Sequence, residues 1–133
     1  MNREQLLREL QDVFSRISID PLLIKELIRL IVGSGFEQKF LALFRTRILR
    51  LLECGVGAIS DKEFESIGQG LFSMHLTGSG FNIRILYSFL PDQTPMLLLA
   101  FYERAGKRKT NYTPHIVPAL DRLCKAKEAF QNG

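Results

Sequence analysis

The sequence predicts an α+β domain: a small antiparallel sheet with a helix pair before it, a C-terminal helix after it and an extra N-terminal helix. Three observations carry that expectation. Up to about residue 70 the apolar residues recur mainly at helical spacing. From Leu71 to Tyr102 the period changes to two, and after Tyr112 helical spacing returns. The length of 133 residues, with 46% hydrophobic and 24% charged, fits one compact domain with at most a terminal appendage.

Residues 2–17 read as an amphipathic helix. Leu6, Leu7, Leu10, Val13, Phe14 and Ile17 form one stripe, and Arg3, Glu4, Arg8, Glu9 and Asp12 take the other face. Asp20-Pro21 then reads as an N-cap followed by proline at the first helical position. The run LLIKELIRLIV suits a helix through Leu23, Leu27, Leu30 and Ile31, and its end, LIRLIV, also alternates like a strand. Gly33-Ser34-Gly35 closes it either way.

Residues 36–53 predict a helix buried through Phe40, Leu43, Phe44, Ile48, Leu51 and Leu52, with Lys39, Arg45, Arg47 and Arg50 outward and Gly55 just past its end. Ser60 and Glu63 fit a capping box, which predicts a shorter helix over 61–69. Strands follow over 71–76, 82–90 and 96–102, joined by turns at 77–80 and at Pro91-Asp92-Gln93, and together they predict a meander. In the second strand Ile83, Ile85, Tyr87 and Phe89 share one face, and Arg84, Leu86, Ser88 and Leu90 share the other. The third strand is apolar on both faces, as in a covered strand. A last helix runs to about Phe130, and Pro118 predicts that its regular part starts near Val117.

Charge is unevenly placed. Residues 1–81 balance ten basic against ten acidic side chains, whereas 82–133 hold eight basic and four acidic ones, so the net +4 sits in the C-terminal part. Such an excess suits phosphate or an acidic partner, and equally a solvated basic face. Cys54 and Cys124 show no CxxC spacing and are expected as buried, unbridged thiols in a reducing cytoplasm. His75 and His115 stand alone in sequence, and no Cys, His, Asp or Glu pair has ligand spacing, so neither a metal nor another cofactor is expected. The first residues, MNREQLLREL, are too charged for a signal peptide, and the longest apolar run, 96–101, is too short to span a bilayer.

GxSxG, HExxH and phosphate-loop motifs are absent, and Gly78-Ser79-Gly80 reads as a hairpin turn. What remains is a basic cluster with aromatics. Arg84 projects from mid-strand, where a charge needs a wet face or a partner such as Glu103. Arg104, Lys107, Arg108 and Lys109 follow the third strand, which antiparallel pairing brings near Arg84. Tyr112 follows, placed to stack on a base or to pack the loop against the last helix. RNA carries its own nucleophile in the 2′-OH, so cations that position it and stabilise the pentacovalent phosphate can promote cleavage. The same electrostatics also serve plain binding.

These residues resemble the RelE/ParE superfamily of bacterial toxins, closest to its HigB-like, phage-derived branch. The resemblance rests on Arg84, Ile85 and Tyr87 in one strand, the apolar 97–101, Lys107, Lys109 and Thr110 in the turn, and Ile116 and Ala119 in the helix. It spans roughly residues 26–130, with specific motifs in the last 50, and makes 21–133 the toxin domain and 1–20 a helical extension. It implies that LIRLIV is the family's first strand, with helices over 36–53 and 61–69 as the family's pair. It also implies a cytoplasmic toxin that enters the ribosomal A site and cleaves mRNA without metal, held in check by a cognate antitoxin, often a helix-turn-helix protein. Arg84 would meet the phosphate, Lys107, Arg108 and Lys109 would clamp the backbone, and Tyr112 would stack on a base. Many relatives carry Lys-Lys after the strand Phe. This chain has Tyr102-Glu103-Arg104, which would give Glu103 a role as base or brace beside Arg104. The N-terminal helix would cover the sheet, lie under the active face or form a homodimer contact. Two alternatives share the resemblance: a ParE-like inhibitor of DNA gyrase, and a degenerate, non-catalytic antitoxin-binding member.

Overall fold

The structure, a computed structural model, describes residues 1–103 and 110–133. Asn2 caps helix α1 (Arg3–Phe14): its side chain accepts the Gln5 N–H while Gln5 accepts the Asn2 N–H in return. Leu6, Leu10 and Val13 on one stripe are buried. A two-residue strand, β1 (Ser18–Ile19), leads into α2 (Pro21–Ile31), where Asp20 caps the Leu22 N–H at 2.9 Å. The run LIRLIV is therefore helix and not a strand. The proline and its aspartate cap fix a helical start, and Leu23, Leu27, Ile28 and Ile31 bury at helical spacing. Helix α3 (Glu37–Cys54) follows, then a 3-10 turn (Gly55–Ser60).

The segment expected as a helix over 61–69 is instead mostly strand β2 (Phe64–Gly68). Its apparent capping box starts no helix, because Ser60 ends the 3-10 turn and the Glu63 carbonyl accepts the His75 N–H of the neighbouring strand at 2.8 Å. Gly68, Gln69 and Gly70 all take positive φ (92°, 58° and 78°), which no helix accommodates and a tight hairpin requires. Strands β3 (Leu71–Gly78), β4 (Phe81–Phe89) and β5 (Pro95–Tyr102) follow, then helix α4 (Thr113–Asn132). Helix α4 begins before Pro118, with Pro114 in its first turn. Pro118 removes one helical hydrogen bond, but burial of Ala119 and Leu123 against the sheet holds the helix through it.

Strand order is β1-β5-β4-β3-β2. Strands β2 to β5 form the expected antiparallel meander, while β1 lies parallel to β5, so the sheet is mixed. One face buries Phe64, Met74, Leu76, Ile83, Ile85 and Tyr87 against α1, α2 and α3. The other buries Leu71, Leu86, Leu98 and Leu99 against Ala119 and Leu123 of α4. A bulge opposite Leu86/Tyr87 turns both Leu98 and Leu99 toward α4. Helix α1 thus belongs to the layer on the face away from Arg84.

Beyond Leu97 the outer edge of β5 has outrun β1, and side chains satisfy it. Glu26 of α2 accepts the Ala100 N–H at 3.2 Å, and Arg122 of α4 donates to the Leu98 carbonyl at 2.8 Å. Arg122 Nη1 and Nη2 donate to the two carboxylate oxygens of Glu26, at 2.8 and 2.9 Å. Both cysteines are free; Cys54 is partly buried, whereas Cys124 is exposed on α4, contrary to the expectation of two buried thiols. No helix among the described residues is long and apolar enough to cross a membrane.

Candidate active site on the open end of the sheet

Helix α4 covers only part of its sheet face. The hairpin turn at 78–81 fixes the register of β3 and β4, which sets His75 opposite Arg84 and Ser73 opposite Leu86. Pairing of β2 with β3 then sets Glu65 opposite Ser73. Tyr112, at the start of α4, reaches across the same surface. Glu65, Ser66, Ile67, His75, Arg84, Thr110 and Tyr112 line an open depression of about 530 Å³.

The polar groups are organised around one carboxylate oxygen. Glu65 Oε1 lies 2.5 Å from the Tyr112 hydroxyl and 3.0 Å from His75 Nε2. A tyrosine has one proton to give, and the shorter contact takes it. The Ser73 hydroxyl, fully buried and 2.9 Å away, then donates to the Tyr112 oxygen. His75 Nε2 carries its proton toward Glu65, which leaves the lone pair of the neutral ring on Nδ1.

Charge states follow from the surroundings. Burial pushes His75 below its usual value, and the positive charges of Arg84 and Arg47 add to this, outweighing the pull of Glu65. Burial would raise Glu65, but hydrogen bonds from Tyr112 and His75, with the charges of His75 and Arg84, bring it below the usual carboxylate range. Burial and the adjacent Glu65 push Tyr112 up to about 12. At neutral pH the site therefore holds an ionised Glu65, a neutral His75 and a protonated Tyr112.

Arg84 is the cation of this set. One of its nitrogens, Nη1, donates to Asn82 Oδ1 at 2.6 Å and lies 3.4 Å from Thr77 Oγ1. Its Nε is buried without a hydrogen-bond partner. Among the described residues no carboxylate forms an ion pair with it, and Glu103 in particular does not. A partly buried guanidinium with unused donors beside a neutral imidazole can bind an oxyanion such as phosphate, while the imidazole can take up a proton.

Of the residues singled out from sequence, the structure brings Arg84 and Tyr112 together. Tyr112 has its hydroxyl committed to Glu65 and Ser73, and its ring stands edge-on to Phe101 at 6.0 Å. Glu103 is 8% exposed, and its backbone N–H donates to Asn82. Arg104, Lys107, Arg108 and Lys109 lie outside the described residues. Sequence reasoning missed Glu65, Ser73 and His75. His75 was within reach, since the hairpin turn alone places it opposite Arg84. Glu65 was not, because its strand read as a helix. No protein-family model matches the chain, and neither a curated protein nor a solved structure matches it.

Proposed function

We propose that the chain is a ribosome-dependent mRNA endonuclease, the toxin of a type II toxin–antitoxin pair. The observation that carries this reading is the convergence of Glu65, His75 and Tyr112 on an open depression that Arg84 enters without a carboxylate partner among the described residues. Cleavage by the substrate's own 2′-OH needs a base, a cation for the charge developing on phosphorus, and geometry that keeps both in place. Neutral His75 serves as the base, oriented through Nε2 by Glu65 as a carboxylate orients the histidine of a catalytic triad. Arg84 holds the phosphate. Tyr112 and Ser73 fix Glu65 and thereby the imidazole.

Two further features support the reading. The helix at Glu37–Cys54, the antiparallel strands β3, β4 and β5 and the C-terminal helix α4 stand where the RelE/ParE resemblance expects a helix, a meander and a last helix, although LIRLIV is helical and 61–69 is mostly strand. The net positive charge lies in the part of the sequence that carries Arg84 and the cations Arg104, Lys107, Arg108 and Lys109. In this reading those cations hold flanking phosphates. The reading entails a cognate antitoxin, expected as a helix-turn-helix protein.

The test is expression in bacteria with primer extension on an abundant transcript. The wild-type chain should arrest growth and create new 5′ ends inside translated codons. His75→Ala and Arg84→Ala should each lower cleavage about 100-fold or more and relieve the arrest, with circular dichroism unchanged. Arrest with intact transcripts would contradict the nuclease reading, and a supercoiling assay would then test gyrase as the target.

A further inference from the structure

We infer that a second phosphate-binding subsite, built by Arg47 and Lys62, adjoins the Arg84 depression across His75 and takes the RNA backbone one step from the scissile bond. The inference rests on the nuclease reading for the identity of the polyanion.

The placement follows from where β2 stops. Its last pairing with β3 at that end is Phe64 with Met74, and beyond it only the His75 N–H reaches back, to the Glu63 carbonyl at 2.8 Å. The edge of β3 is open from there on. Arg47 reaches that edge from α3, and its Nε donates to the His75 carbonyl at 3.0 Å. A surface arginine has no need of such an anchor. Here the contact holds a guanidinium against the sheet edge beside the residue that lines the other depression. Arg47, Lys62, Glu63, His75 and Thr77 line a cavity of about 370 Å³, and His75 belongs to both cavities. Neighbouring strands lie roughly 5 Å apart, so sites on β4 and on the far edge of β3 are within reach of consecutive nucleotides.

Its charge is left available. Among the described residues Arg45 pairs with Glu9, and Arg50 binds Asp61 through two nitrogens, which removes the carboxylate next to Lys62. Arg47 and Lys62 have no carboxylate ion pair among the described residues. Glu63 contributes one negative charge to the rim, so the cavity remains net positive. Anchored donors on Arg47 and a mobile ammonium on Lys62 together suit a backbone phosphate, which carries no base identity.

The experiment uses the purified full chain and a short fluorescein-labelled 2′-O-methyl oligoribonucleotide, which offers phosphates but no nucleophile. Anisotropy is followed as salt is raised. Each phosphate contact on a single strand adds about 0.7 to the slope of log K against log salt. Arg47→Gln and Lys62→Gln should each lower the slope, and Arg47→Gln/Lys62→Gln should lower it by about 0.7, the loss of one phosphate contact. Arg47→Lys, which keeps the charge, should retain most of the slope. Unchanged slopes in the Gln variants would overturn the subsite. So would an Arg47→Lys loss equal to that of Arg47→Gln, since the His75 contact alone would then account for Arg47. Cleavage on programmed ribosomes is scored separately: reduced slopes with no cleavage by wild type would sink the nuclease reading and leave the subsite standing, whereas wild-type cleavage with unchanged slopes would do the reverse.

Discussion

Glu65, His75 and Tyr112 set one another's proton affinity, and the consequences are measurable one residue at a time. Protonating His75 would place a cation beside Arg84 in a partly dry site, so its titration is displaced below 6.5. The sign follows directly. In the proposed mechanism the neutral ring is the active form, so the cleavage rate should be flat near neutrality and fall as pH drops through a value below 6.5. Proton NMR of the His75 ring should show the same titration, and Arg84→Gln should move it to higher pH by removing a positive neighbour. A titration at or above the ordinary value in the wild type would contradict the environment described. Tyr112→Phe should cost about 1–2 kcal/mol in urea unfolding, because Glu65 loses its closest donor and Ser73 its acceptor. At this scale the sequence was half legible. Arg84 stands out as a charge in an apolar strand and Tyr112 as an aromatic after a basic run. His75, Ser73 and Glu65 are ordinary polar residues in alternating strands, and only strand register makes them neighbours.

Elements were legible where period, cap and breaker agreed. The helix at Glu37–Cys54 and the three long strands follow from apolar spacing bounded by glycine and proline. They were misread where a local signal had a second use. LIRLIV alternates, but its fate was decided upstream by Asp20-Pro21, and the one strand in that region is only two residues long. Ser60 and Glu63 mimic a helix start, yet hairpin pairing with β3 and the positive φ at residues 68–70 draw the segment into the sheet. Pro118 argues for a late helix start only until the sheet is there to pack against. None of this predicts the clasp between α2 and α4, since Glu26 and Arg122 are 96 residues apart. Arg122 is also 3.8 Å from the Asp20 cap. Arg122→Ala leaves a largely buried Glu26 carboxylate and the Leu98 carbonyl without their partner, and should cost about 3 kcal/mol by chemical denaturation. Glu26→Gln/Arg122→Ala should recover part of that loss, because no uncompensated charge remains. A cost under about 0.5 kcal/mol for the single variant would show the clasp to be incidental.

For the whole molecule, the layers separate support from the candidate site. Helices α1, α2 and α3 fill one face of the sheet with the larger core, and α4 closes part of the other. The open part presents Arg84, His75 and Glu65 on paired strands, a rigid base for the proposed reaction, in which nucleophile and leaving group both belong to RNA. The fold class and the basic bias of the C-terminal part were legible from the sequence, because each is carried by composition and period. The acid–base pair was not, because it is assembled by two strand pairings, one of which sequence reading had placed in a helix. The central claim is that the 2′-OH attacks a phosphate held by Arg84 with His75 as base, and the chemistry of the cut ends reports on it most directly. Purified protein is added to ribosomes programmed with a defined mRNA, and the fragments are characterised. The account predicts an upstream fragment ending in 2′,3′-cyclic phosphate, a downstream fragment starting with 5′-OH, and neither with His75→Ala. No cleavage, or fragments bearing 5′-phosphate, would contradict it.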